Sequence, residues 1–290
     1  MKKIYIDSIA ERLGVKDWQV ENCVKLFEEG ATIPFISRYR KERTGGLDDV
    51  AVAEVRHWHD VFVEMDKRKD TVLETIGQAG ALTQELRAKI ENCVDGRELE
   101  DLYLPYRPKR RTRATAAKEA GLEPLADRMY NVTLADPLEF ARKFVGDKVA
   151  SVEDALAGAR DIIAERISET ASVRETLRQT FRKRRLVTKA TKKAVCQEAM
   201  KYRSYFDYSE SLERMAPHRL LAILRAQEEG FLSLKIDADP EKAVKKMYYD
   251  FCHERKYPAA PLAEQIQMAL EDSYKRLLEP SISNEILKEA

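Results

Sequence analysis

The segment Gly30-Ala-Thr-Ile-Pro-Phe-Ile-Ser-Arg-Tyr-Arg-Lys-Glu-Arg-Thr-Gly-Gly-Leu-Asp-Asp49 sets two helix ends, a tight turn and a basic-aromatic cluster within one short stretch. Gly30 closes a preceding helix. Thr32 and Pro34 stand where a cap and a first-turn proline open the next one. Phe35 and Tyr39, four apart, share one face, and Arg38, Lys41 and Glu42 share another. Gly45-Gly46 permits a turn that a residue with a Cβ resists, and Asp48 caps the helix that follows.

Outward from this stretch, apolar residues recur at helical spacing almost from end to end, which predicts a mainly α fold. Ile6, Ile9, Ala10 and Leu13 form a stripe that stops at Gly14, and Val20, Val24 and Phe27 lead up to Gly30. Val55, Trp58, Phe62, Met65, Val72, Leu73 and Ile76 form one continuous stripe, so a single long helix is expected over residues 48–76. Asp136-Pro137-Leu138-Glu139 joins a cap, a first-turn proline and a capping-box glutamate. Ser151 caps a helix with Leu156, Ala159, Ile162, Ile163 and Ile167 inside.

In the last third, Phe231, Leu232, Leu234 and Ile236 read as a strand. Its partner is either residues 185–188 or a segment outside the chain, so at most one short β-hairpin is expected. Leu262, Ile266, Ala269, Leu270, Ser273 and Leu277 form an amphipathic helix that Pro280 should stop. The helix opening at Ser281 meets no stop signal, which predicts that the chain is a fragment.

Net charge is only +1, with charged residues at 35%, so any surface for a polyanion must be a local patch. No apolar run approaches a membrane span, and the N-terminus lacks the apolar core of a signal peptide. Cys23, Cys93, Cys196 and Cys252 are scattered, which suits a reduced, cytoplasmic protein.

Two basic clusters follow. Arg107, Lys109, Arg110, Arg111 and Arg113 lie in a loop stiffened by Pro105 and Pro108 and flanked by Tyr103 and Tyr106. Guanidinium forks there match phosphate oxygens, although Glu98, Glu100 and Asp101 just upstream could pair with them instead. Arg182, Lys183, Arg184, Arg185, Lys189, Lys192 and Lys193 contain no acid among them, and read either as phosphate contacts or as a solvated face. A third cluster, Arg38, Tyr39, Arg40, Lys41 and Arg43, reads mainly as scaffold. Phe35 and Ile36 look like core, and Arg38 or Arg40 is placed to pair with Asp48, Asp49 or Glu54.

No catalytic constellation emerges. His57 and His59 are two apart on a helix, and the Cys252-His253 pair has no second ligand pair nearby, so neither a metal nor a cofactor is expected. Nucleophile elbow, phosphate loop and dinucleotide fingerprint are all missing, so the chain is not expected to be an enzyme.

The 30–49 stretch resembles the hallmark of the Tex family of transcription accessory proteins. Leu99-Glu-Asp-Leu-Tyr-Leu-Pro-Tyr-Arg-Pro-Lys-Arg-Arg-Thr-Arg-Ala114 with Glu119-Ala-Gly-Leu-Glu-Pro-Leu125 is similar to the same family. So are Tyr205-Phe-Asp-Tyr-Ser-Glu210 with Pro217-His-Arg-Leu-Leu-Ala222, and Leu278-Glu-Pro-Ser-Ile282. Residues 182–200 resemble it only loosely. The resemblance implies an elongated helical scaffold with a helix-turn-helix element, arranged as 1–66, 67–200 and 201–290. It also implies RNase H-like, helix-hairpin-helix and OB-fold parts that this chain does not contain. The structural motif residues are then Thr32, Pro34, Arg38, Tyr39, Arg40, Gly45, Gly46 and Asp48. The expected role is a scaffold giving non-specific contacts to RNA or DNA, with transcription machinery as a further partner; the alternative is a protein-interaction scaffold for transcription or translation machinery.

Overall fold

Caps and apolar periodicity account for most of the backbone. The computed structural model describes residues 1–108, 111–255 and 258–289, so Lys109 and Arg110 of the first basic cluster lie outside the described residues. The protein is mainly α. It divides into two units, Met1–Pro108 and Lys109–Ala290, each with its own apolar core. The boundaries expected at 66 and 200 instead fall inside elements, a long helix and a 3-10 segment, Gln197–Tyr205.

The first unit holds α1 (Lys3–Leu13), α2 (Asp17–Glu28), α3 (Ile33–Tyr39), α4 (Lys41–Thr44), α5 (Asp49–Gln78), α6 (Gln84–Asn92) and α7 (Gly96–Tyr103). The long helix starts where its cap predicts, with the Ala51 N–H donating to the Asp48 carboxylate at 2.7 Å. Thr32 holds the N-cap position of α3 in extended backbone and Pro34 lies in the first turn, but the Thr32 side chain accepts no cap hydrogen bond. Gly45 ends α4 at φ 63°, and a Cβ there would stand 2.6 Å from Trp18 Cη2, so both backbone and packing require glycine. Gly46 follows at φ 82°.

The turn is held from α2. Gln19 Nε2 donates to the Thr44 carbonyl and Asn22 Nδ2 to the Arg43 carbonyl, each at 2.8 Å. The expected pairing of Arg38 or Arg40 with Asp48, Asp49 or Glu54 does not occur among the described residues; side-chain amides reach the turn carbonyls directly, and Arg40 donates instead to the Tyr39 carbonyl at 3.2 Å. Arg43 pairs instead with Glu29 at 3.3 Å. Ile36 is core, as read, whereas Phe35 is exposed.

The inward stripe of α5 carries Val52, Val55, Phe62, Met65, Val72 and Ile76, and within it Lys69. Lys69 is buried, and its Nζ donates to Tyr5 Oη at 2.9 Å, the Glu91 carbonyl at 2.9 Å and the Cys93 carbonyl at 2.6 Å. Tyr5 stacks on Phe62 with ring centroids 4.4 Å apart and donates its hydroxyl to Asp66. One ammonium thus ties α1 and α5 to the turn that joins α6 and α7. Burial holds the Lys69 pKa below the ordinary lysine value.

The second unit holds α8 (Arg113–Glu119), α9 (Glu123–Tyr130), α10 (Pro137–Ala141), α11 (Val152–Ser168), α12 (Ala171–Arg182), β1 (Arg185–Ala190), β2 (Asp207–Ser211), α13 (Pro217–Glu228), β3 (Leu232–Ile236), α14 (Pro240–Glu254), α15 (Ala260–Asp272) and α16 (Glu279–Glu289). The central helix, α11, buries Ala155, Leu156, Ala159, Ile162 and Ile163 completely and packs against α8, α9 and α15. The strand read at 231–236 finds its partner in residues 185–190, with Leu186 opposite Ile236 and Thr188 opposite Leu234. A third strand, β2, pairs with the other edge of β1, so the single hairpin grows into an antiparallel sheet of order β2-β1-β3. Asp207-Tyr-Ser-Glu-Ser211 gives no apolar alternation, which is why its pairing had no sequence signal.

Pro280 does not stop the last amphipathic helix. A π turn, Ser273–Leu278, joins α15 to α16, and the widened turn carries the chain past the residue that cannot donate. The turn also shifts the register. Tyr274 and Leu278 are fully buried, while Leu277, read as core, is only half-buried. Further along, Glu285 of α16 receives Arg178 Nε at 2.9 Å and also binds Arg174, both arginines lying buried on α12. Arg174 donates in addition to Ser281 Oγ at 3.0 Å and the Ser168 carbonyl at 3.1 Å.

Candidate nucleic-acid interface

Of the two long basic clusters, the second lies within one unit and runs from the end of α12 through β1 to the turn beyond it. α12 ends at Arg182, which already has a partner, and Lys183 follows as the exposed C-cap. The Arg184 N–H donates to the Phe181 carbonyl at 2.9 Å and its carbonyl accepts from Leu212 N–H at 3.0 Å, turning the chain into β1. Arg185 reaches across to β2, with Nε on Ser209 Oγ at 2.8 Å and Nη2 on the Ser209 carbonyl at 2.7 Å. Its guanidinium is therefore a cross-strand brace, only partly available to a ligand.

Strand alternation sorts the rest. Leu186 and Thr188 point into the core, and Arg185, Val187 and Lys189 point out. Opposite them stand Ser211, Ser209 and Asp207 on β2, and Lys235 and Ser233 opposite Val187 and Lys189 on β3. The open face thus presents Arg185, Lys189 and Lys235 among three serines, with Asp207 at one edge. Lys192 and Lys193 follow on the turn after β1, which Thr191 anchors by donating its hydroxyl to the Gly230 carbonyl at 2.7 Å. Lys193 passes over Gly230, where a Cβ would stand 3.6 Å from Lys193 Cδ.

Lys183, Lys189, Lys192, Lys193 and Lys235 have no carboxylate partner among the described residues. Uncompensated ammonium groups on an exposed strand and turn suit phosphate oxygens, each contact releasing a condensed counterion. Lys235 escaped the sequence reading because it is the lone cation of its strand; its signal was the alternation Leu232-Ser-Leu-Lys-Ile236.

The first cluster is divided between the two units, and Lys109 and Arg110 lie outside the described residues. Arg107 is exposed at the end of the first unit, while Arg111 and Arg113 open the second. Arg111 already pairs with Glu119 at 2.9 Å, and Arg113 is the first residue of α8, capped by Thr112 accepting from the Thr115 N–H at 3.0 Å.

In the hallmark cluster, Arg38 and Lys41 are exposed and Arg40 lies over the Phe35 ring at 5.0 Å. Among the described residues no three His, Cys, Asp or Glu side chains gather as metal ligands. Burial pushes the Cys23 and Cys93 thiols up to about 11, far from nucleophilic thiolates. No helix among the described residues is long and apolar enough to cross a membrane.

These features define a helical protein with a small basic sheet, and comparison with known proteins places it. A family description reading Tex central region-like matches residues 133–289, and one reading Tex-like protein N-terminal domain matches residues 3–77. The chain belongs to the Tex family. It is 37% identical over 285 residues to the uncharacterized protein YdcI of Bacillus subtilis, covering 97% of this chain and 39% of that relative. It is 37% identical over 233 residues to the transcriptional accessory protein Tex of Neisseria gonorrhoeae, covering 80% of this chain and 31% of the relative. The human S1 RNA-binding domain-containing protein 1 is 26% identical over 296 residues, which is 97% of this chain and 29% of its own length. The chain therefore spans between 29% and 39% of these relatives.

Proposed function

We propose that this chain is the helical N-terminal scaffold of a cytoplasmic transcription accessory protein and holds nucleic acid through non-specific phosphate contacts. The observation that carries the reading is the set of uncompensated lysines on and beside β1: Lys183, Lys189, Lys192 and Lys193, with Lys235 on the neighbouring strand. Relatives named for transcription and for RNA binding support the class of ligand. Arg107, Lys109, Arg110, Arg111, Arg113, Arg182, Arg184 and Arg185 belong to the same reading as further phosphate contacts. For the helix-turn-helix element we infer α8 and α9, two short helices joined across residues 120–122 with Gly121 at φ 85°. The chain contributes no catalytic step of its own in this reading.

Fluorescence anisotropy with a generic oligonucleotide across a salt series tests it. Lys183, Lys189, Lys192 and Lys193, as four contacts to a single strand, contribute about −3 to the slope of log affinity against log salt. Alanine at Lys183, Lys189, Lys192 and Lys193 together should flatten that slope and weaken all sequences alike. No binding at low salt, or a slope untouched by the quadruple variant, would overturn the phosphate reading and leave these lysines to a protein partner.

A further inference from the structure

The amides of Gln19 and Asn22 on α2 hold the turn after the hallmark cluster, and Arg38, Arg40 and Lys41 make no ion pair there among the described residues. What the cluster leaves on the surface is unusual for a helix of seven residues. Tyr39 is 65% exposed and Phe35 is 39% exposed, one turn apart, with ring centroids separated by 5.7 Å. The inner side of α3 is filled by Ile33, Ile36 and Ser37, and neither ring belongs to the buried core. The Tyr39 hydroxyl bonds nothing among the described residues. Arg40 sets its guanidinium over Phe35 at 5.0 Å, and Arg38 and Lys41 are exposed beside the rings. Arg43 is neutralised by Glu29, so Glu42 alone offsets Arg38, Arg40 and Lys41 within 33–44.

We propose that the Phe35–Tyr39 face of α3 is a stacking platform for unpaired bases of a single-stranded nucleic acid, with Arg38, Arg40 and Lys41 taking the adjoining phosphates. The charge surplus selects a polyanion over an apolar or basic partner. The rings select a polyanion with flat faces: every base offers a π surface, and bases in a duplex are already stacked on one another. A phosphorylated or acidic peptide supplies the charge but nothing for Tyr39 to stack on. The two rings are inclined at 41° to each other, so each offers its own face, and the guanidinium held at Phe35 strengthens a stack there by cation–π attraction. The proposal rests on nucleic acid being the ligand class of this chain, but it uses a different unit and a different contact from the lysines around β1.

The test uses the whole chain and three labelled probes of about twelve nucleotides: a single strand, the same sugar-phosphate strand without bases, and a duplex. The wild type should prefer the base-bearing strand to the abasic one. Tyr39→Ala, at an exposed site outside the core, should weaken single-strand binding by roughly five- to thirtyfold and leave the duplex and the abasic strand nearly unchanged. Phe35→Ala should do the same, and Tyr39→Trp should restore the preference. Equal losses on all three probes would reduce the face to a phosphate contact and overturn the stacking proposal. So would an unchanged preference in both alanine variants, or an acidic peptide competing as well as the strand. The quadruple lysine variant should keep the base preference while losing salt slope, so that either reading can fail without the other.

Discussion

Replacing Lys69 by methionine tests the buried junction of the first unit. The side chains are similar in length, so the apolar stem is kept and only the ammonium is lost. The Cys93 carbonyl then loses its buried 2.6 Å partner, and an unsatisfied buried polar group costs about 1–3 kcal/mol. The Glu91 carbonyl loses a 2.9 Å bond but sits where that bond is only partly buried, and Tyr5 keeps Asp66. Against these losses stands the relief of an ammonium whose burial disfavours its charged form. The balance is a destabilisation of about 2 kcal/mol. Both tryptophans, Trp18 and Trp58, lie in the first unit, so fluorescence during urea unfolding reports on that unit. With a slope of about 1–3 kcal/mol per molar urea, the midpoint should fall by about 1 M. Lys67→Met, at an exposed position two residues away, should stay within about 0.5 kcal/mol of wild type. A Lys69→Met midpoint at or above that of the wild type would refute the reasoning, because it would mean the carbonyls find other partners at no cost.

Glu285→Gln should destabilise the second unit by about 2–3 kcal/mol, since it leaves the buried Arg174 and Arg178 facing an amide in place of a carboxylate. Amide hydrogen exchange should show lost protection along α12 and α16; unchanged exchange there would contradict it. The Asp66 carboxyl is raised by burial, but the hydrogen bonds from Tyr5 and Lys2 outweigh this and hold it below the usual range. As pH falls below about 3.9 the unfolded chain takes up its proton first, and stability is lost as the folded pKa is passed. Asp66→Asn should therefore blunt the acid limb of a tryptophan-monitored pH titration, and an unaltered limb would remove Asp66 as a contributor.

Much of this architecture was legible in the residues. Asp48, Thr83, Asp136, Ser151 and Asp239 each cap a helix through a side-chain acceptor, and these signals are local enough to survive any tertiary context. The strand at 232–236 could be read because Leu232, Leu234 and Ile236 share one face, whereas residues 185–188 stood only as one of two candidate partners, their inward face carrying Leu186 and Thr188. What escaped is what tertiary packing decides. Lys69 occupies a stripe position that a charged residue type disguises, and Tyr5 Oη together with the carbonyls of Glu91 and Cys93, all more than twenty residues away, makes its burial tolerable. Residue type reads Phe35 as core, yet the inward side of α3 is taken by Ile33, Ile36 and Ser37. The interface was half legible: charge without acid marked 182–193, but the strand phase that turns Lys189 out and aligns it with Lys235's neighbour Ser233 belongs to the sheet.

The π turn before Pro280 has a bearing on how this chain tolerates insertion and deletion. Between Ser273 and Leu278 the helix carries one residue more than its 3.6-residue pitch requires, and everything beyond it is rotated by about 100°. That rotation is what presents Ile282 and Ile286 to the core and Glu285 to the two arginines of α12. Two stretches of helix with mismatched phases are thereby spliced into one rod. Removing a single residue from the splice would restore ideal helix and swing the last turn's partners away, whereas the same deletion in an exposed loop would go almost unnoticed.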